Sequence, residues 1–89
     1  MKIRRRIVVH GLVQGVLFRD TIRRHAERRG VAGWVRNNPD GSVEAVFEGE
    51  EDEIERLGEL CRDGPRGARV DSVDVLREEP EGLSGFQVR

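Results

Sequence analysis

The stretch Gly11-Leu12-Val13-Gln14-Gly15-Val16-Leu17-Phe18-Arg19 holds the residues best suited to chemistry. A strand-like run precedes it and a helical pattern follows, so Arg19 falls in the first turn of a helix. The N-terminus of a helix carries partial positive charge and unpaired N–H groups, and acidic side chains normally suit it. An arginine there, behind a loop with two glycines, implies an anion between them. Loop amides, helix terminus and guanidinium would then converge on one small phosphate or carboxylate.

The elements around this loop follow from periodicity. Ile3 to His10 reads as a strand with Ile3, Ile7 and Val9 on one face and Val8 on the other. After the loop Gly11 to Leu17, the spacing of Phe18, Ile22 and Ala26 predicts a helix over 18–29 that Gly30 terminates. Val31 to Arg36 and Ser42 to Glu48 read as a hairpin, joined by the turn-forming run Asn37-Asn38-Pro39-Asp40-Gly41. Glu50 to Arg62 is a second helix, acidic in its first turn, with Ile54, Leu57 and Leu60 or Cys61 as its buried stripe and Gly64-Pro65 as its stop. Val70 to Leu76 is a fourth strand with Val73 and Val75 inward, and Phe86 to Val88 a short closing one. The order β-α-β-β-α-β, with right-handed crossovers, predicts an α+β ferredoxin-like sandwich. Its four-stranded antiparallel sheet, plus the short C-terminal strand, carries both helices on one face.

Composition narrows the classes. Eighty-nine residues suit a single domain, 1–89, with one modest core. A formal charge of -1 argues against a protein held on nucleic acid by its overall field. No apolar run has the length of a membrane span and no signal peptide is visible. Cys61 is alone, which fits a reducing cytoplasm. His10 and His25 have no partner at metal-ligand spacing and read as structural or exposed. Cys61 reads as a core residue and Trp34 as packing. Arg4-Arg5-Arg6 reads as a solvated strand face and end, and Glu50 to Glu53 as a helix-start cluster.

The run Val9-His10-Gly11-Leu12-Val13-Gln14-Gly15-Val16-Leu17-Phe18-Arg19 resembles the first signature of the acylphosphatases. Gly33-Trp34-Val35-Arg36-Asn37, followed by Gly41, Val43 and Gly49, resembles the second. The likeness continues through Gly64-Pro65-Arg66-Gly67-Ala68-Arg69-Val70 and Ser84-Gly85-Phe86, so it covers essentially the whole chain. The resemblance implies hydrolysis of acyl phosphates to a carboxylate and inorganic phosphate, with no metal and no cofactor. It further implies that Arg19 binds the phosphoryl group and that Asn37 orients the attacking water. The phosphate would take its remaining donors from the N–H groups of Gln14, Gly15, Val16, Leu17 and Phe18. Gly11 and Gly15 are expected to let those amides approach where side chains would obstruct.

These residue types suit such a reaction. An acyl phosphate leaves as an already stabilised carboxylate and needs little general-acid help. What remains is positioning and stabilisation of charge on the phosphoryl oxygens. An asparagine amide can hold a water by donor and acceptor contacts but takes no proton at neutral pH. Leu17 fills a slot often occupied by something smaller, narrowing the pocket mouth, and Ile22 stands where many relatives have threonine. The expected partners are a small acyl phosphate, with inorganic phosphate or other small anions as product or inhibitor. Neither nucleic acid nor a membrane is expected, and nothing demands more than a monomer.

Two other readings compete. An RNA-recognition module on the same sandwich would stack bases on exposed aromatics of the first and third strands. Here the first strand has none and the third has only Phe47, between Glu44 and Glu48. A carbamoyl-phosphate-handling module, like the N-terminal part of hydrogenase maturation carbamoyltransferases, would belong to a much longer chain; the length here favours the simple enzyme.

Overall fold

In the computed structural model, which describes residues 1–89, the alternation along the first strand decides the layers. Ile7 and Val9 turn to one side of the sheet and are buried, while Arg4 and Arg6 turn to the other. The elements are β1 (Lys2–Leu12), α1 (Phe18–Arg28), β2 (Ala32–Asn37), β3 (Val43–Glu50), α2 (Glu51–Asp63), β4 (Arg69–Glu78) and β5 (Phe86–Val88). The sheet order is β4-β1-β3-β2-β5. The first four strands pair antiparallel, as the element order predicts, and β5 adds a fifth strand parallel to β2. The sheet is therefore mixed, because the chain returns across the far edge after β4 and runs alongside β2.

One core lies between this sheet and the two helices. Phe18, Ile22 and Ala26 of α1 meet Ile54, Leu57 and Cys61 of α2 over Ile7, Val9, Val35, Val43, Ala45 and Phe47. Cys61, not Leu60, is the fully buried member of the last turn of α2, and burial pushes its thiol up to about 12. Ile22 is wholly buried, so an apolar side chain suits its site. Phe86 stacks on Phe47 with ring centroids 5.8 Å apart, which fastens β5 to the core. Val73 and Val75 lie opposite Val9 and Ile7 as expected, but Val75 stays partly exposed because β4 is the sheet edge.

The open face of the sheet differs from a solvated strand face. Arg4 is only 4% exposed. Its Nη1 donates to Glu48 Oε2 at 2.7 Å and its Nε to Glu78 Oε1 at 2.8 Å. Arg6 binds Glu44 and also donates from Nε to Glu78 Oε2 at 2.7 Å. Glu48 accepts further bonds from the N–H groups of Glu81, Gly82 and Leu83, so the segment after β4 folds over this face. Trp34, 7% exposed, lies under the guanidinium groups of Arg6, Arg36 and Arg89. Carboxylates on the two neighbouring strands explain why Arg4 and Arg6 are tolerated on this face; Arg5 points to the helix side instead.

This network sets an acid limit. Burial alone would raise the Glu48 carboxyl, but the N–H groups of Glu81, Leu83 and Gly82 and the guanidinium of Arg4 bring it below its ordinary value. Bonds from Arg6 and Arg4 lower Glu78 from 4.5 to about 2. A carboxyl lowered in the folded state stabilises fully above its unfolded pKa and loses that contribution as pH falls through the folded one. The urea midpoint should therefore fall between about pH 4.5 and about pH 2. Glu78→Gln should be less stable at pH 7 and flatter across that window; equal slopes for both proteins would remove Glu78 from the network.

Candidate active site

β1 runs two residues further than its alternation predicts, to Leu12, with a register shift between His10 and Gly11. The cause is the approach of β4. Gly11 has φ +134, and a Cβ there would stand 2.1 Å from the Arg69 carbonyl oxygen. Its glycine serves strand packing, not access to an anion as the sequence leads one to expect. Gly15 differs: a Cβ there would meet nothing within 4 Å, so its φ of +78 is the reason for glycine. The loop proper is thus Val13 to Leu17, and Val13 anchors it in the core.

The loop leaves its donors free. The N–H groups of Gln14, Gly15, Val16, Leu17 and Phe18 reach no backbone carbonyl; the first such bond at this end of α1 runs from Thr21 N–H to the Leu17 carbonyl at 3.0 Å. Leu17 adopts a left-handed conformation (φ 60, ψ 24) as the residue preceding the helix and offers no side-chain cap. For a bulky side chain that conformation costs about 1–3 kcal/mol, a strain that sites of function commonly hold.

Arg19 and Asn37 meet the loop in one cleft of about 500 Å³, lined by Val13, Gly15, Leu17, Phe18, Arg19, Asp20, Arg23, Asn37 and Val88. Arg19 pairs with no side-chain carboxylate; Asp20 beside it is bound by Arg23 at 2.7 Å and Arg24 at 3.2 Å. Those contacts, Arg23 foremost, hold the Asp20 carboxyl below its usual range. The one protein partner of the Arg19 guanidinium is the main-chain oxygen of Arg89, which accepts from Nη1 at 3.0 Å. Arg89 is itself placed by its N–H, which donates to the Val35 carbonyl at 2.8 Å, and by its guanidinium over Trp34.

Asn37 is the last residue of β2, paired with Val43, and not part of the turn as the run of turn formers leads one to expect. The turn begins at Asn38, whose N–H donates to the Ser42 carbonyl at 2.8 Å. Ladder pairing fixes the Asn37 backbone and leaves its side chain on the cleft wall. Gln14 connects the two halves: its Nε2 donates to the carbonyls of Asn38 (2.8 Å) and Ser42 (3.0 Å), tying the loop to the hairpin. A second depression of about 350 Å³, between α2 and β4, carries glutamates and arginines but none of the loop amides.

The comparisons with known proteins give the family and the fold. The Acylphosphatase family profile matches residues 5–88. An acylphosphatase of Rubrobacter xylanophilus is 57% identical over 86 residues, spanning 94% of this chain and 77% of that protein. The chain belongs to the acylphosphatase family. The crystal structure of acylphosphatase from Bacillus subtilis superposes with a TM-score of 0.94 at 36% identity, covering 100% of this chain and 99% of that one. Full-length HypF in its phosphate- and nucleotide-bound form matches with a TM-score of 0.93 at 28% identity, over 100% of this chain but 12% of that one.

Within this acylphosphatase fold, the two signatures read from the sequence both supply lining residues of one cleft. Sequence reading missed four contributors: the Gln14 side chain, the Asp20–Arg23 pair, Val88 and the main-chain oxygen of Arg89. The pair alone carried a signal, since acid and base three apart on a helix meet one turn later. The sheet face away from the helices offers no open aromatic platform, because Phe47 is fully buried on the helix side and Trp34 is covered.

Proposed function

We propose that this acylphosphatase-family chain hydrolyses acyl phosphates by in-line attack of water, with Arg19 and the loop amides holding the phosphoryl group and Asn37 holding the water. The observation that carries the assignment is the convergence of a guanidinium without a side-chain carboxylate partner, a run of free N–H groups and an asparagine on one cleft. The N–H groups of Gln14, Gly15, Val16, Leu17 and Phe18 donate to the phosphoryl oxygens, and Arg19 adds two charge-assisted bonds. Attack forms the water oxygen–phosphorus bond as the phosphorus–acyl oxygen bond breaks, and that electron pair leaves on the carboxylate. The water's proton passes to a phosphoryl oxygen, so no side-chain base is required.

The donors are preorganised, and charge spreading onto the phosphoryl oxygens is met without rearrangement. We assign no metal or cofactor to the step, since guanidinium and amides supply the charge stabilisation it needs. Every residue of the assigned site comes from one chain, so a monomer suffices, and the unpaired, buried Cys61 suits a reducing cytoplasm. Inorganic phosphate, as product, should inhibit competitively.

Purified protein should hydrolyse benzoyl phosphate rapidly and equally with or without EDTA. Loss of activity in EDTA would overturn the metal-free assignment. Absence of turnover, with phosphate still bound, would make the cleft an anion-binding site.

A further inference from the structure

The phosphoryl group and water account for Arg19, the loop amides and Asn37, which leaves half of the cleft lining unused. Val13 and Phe18 form its buried floor. Leu17 and Val88 stand at its rim, 74% and 42% exposed. A leucine so exposed, in a left-handed conformation where glycine or asparagine is comfortable, is disfavoured on two counts, and no core packing compensates.

The polar side of the cleft is already satisfied. Arg23 donates from Nη2 to Asp20 (2.7 Å) and from Nη1 to Glu27 (2.9 Å), and Asp20 also binds Arg24. No guanidinium fork there is open to a second carboxylate. A charged acyl tail would lose water at this rim and gain no partner. An apolar tail would cover Leu17 and Val88.

We propose, resting on the acyl-phosphate reading of the same cleft, that its substrates carry an apolar, uncharged acyl group gripped by Leu17 and Val88. The phosphate end fixes the reacting bond and this rim selects what is attached to it.

Three substrates test the assignment: benzoyl, acetyl and para-carboxybenzoyl phosphate, compared by kcat/KM. The wild type should prefer benzoyl over para-carboxybenzoyl phosphate by at least about tenfold, the scale of discrimination a pocket contact provides. Leu17→Asn fits the left-handed backbone while making the rim polar, and should lower the benzoyl-to-acetyl ratio by about tenfold. Val88→Thr keeps the side-chain shape and should move the ratio in the same direction. Each ratio is taken within one protein, so folded fraction and changes in the cradle cancel. Unchanged ratios in both variants, or equal use of the carboxylated substrate by wild type, overturn the rim assignment alone. No turnover of any of the three overturns the hydrolase reading and the rim assignment together.

Discussion

Arg19→Gln is expected to lower turnover of benzoyl phosphate by about 100- to 1,000-fold, the usual effect of losing one preorganised donor at developing charge. Phosphate binding should weaken with it. A hydrogen bond to a charged group contributes about 1.5–3 kcal/mol, so the inhibition constant for phosphate should rise by roughly 10- to 150-fold. Both constants move because Arg19 is the one arginine lining the cleft that pairs with no side-chain carboxylate. Arg19→Lys restores the charge without the planar fork and should recover only part of the loss. The fold should be little affected, since the guanidinium has a single protein acceptor, the main-chain oxygen of Arg89. Near-normal phosphate inhibition in Arg19→Gln, measured on a protein with wild-type thermal unfolding, would take the phosphoryl group away from this residue.

That acceptor also explains how Arg19 is held ready. A long side chain in the first turn of a helix is free to sample many rotamers, and immobilising it during binding costs about 0.5–1.5 kcal/mol. Here one nitrogen is already occupied by the main-chain oxygen of Arg89, just beyond the end of β5. The Phe47–Phe86 stack and the bond from Arg89 N–H to the Val35 carbonyl hold that end of the chain. In the proposed role, Arg19 would therefore meet a phosphoryl group with part of its freedom already surrendered. The parallel fifth strand is thus a support for the site as well as an addition to the sheet.

Legibility in the sequence followed the range of the interactions. Periods of two and 3.6 mark β1, α1 and α2 because each buries one continuous face, and both helices begin and end within a residue or two of their spacing. The loop was readable because glycine and arginine at those positions are unusual for a helix start. Asn37 was misplaced by its neighbours: Asn38, Pro39, Asp40 and Gly41 are all turn formers, and only pairing with Val43 extends β2 through residue 37. Arg4 and Arg6 were misread because an arginine run, taken alone, belongs in water. Their partners Glu44, Glu48 and Glu78 lie 38 to 74 residues away. Even so, the strand order puts β1 between β3 and β4, and alternating opposite charges on those neighbours are a signal that the sequence contains. The contribution of Gln14 has no such trace, because its acceptors are main-chain carbonyls, present at every residue.

Asn37→Ala separates the two wall residues most sharply. Turnover should fall by about 100- to 1,000-fold, as for loss of a positioned polar group in the transition state. Phosphate inhibition should stay within about twofold of wild type, because the proposed phosphoryl donors are other groups, from Gln14 to Arg19. Backbone pairing with Val43 does not depend on the side chain, so β2 keeps its register in the variant. The neighbouring amide cannot substitute: Asn38 Nδ2 donates to Ser42 Oγ at 3.0 Å and to Glu44 Oε1 at 3.2 Å. Asn37→Asp provides the contrast. It keeps the size and an acceptor but sets a carboxylate across the cleft from the phosphate, so it should weaken phosphate binding as well as turnover. An alanine variant that bound phosphate poorly would place Asn37 on the phosphoryl group. One that turned over normally would mean the water is positioned by the loop amides alone.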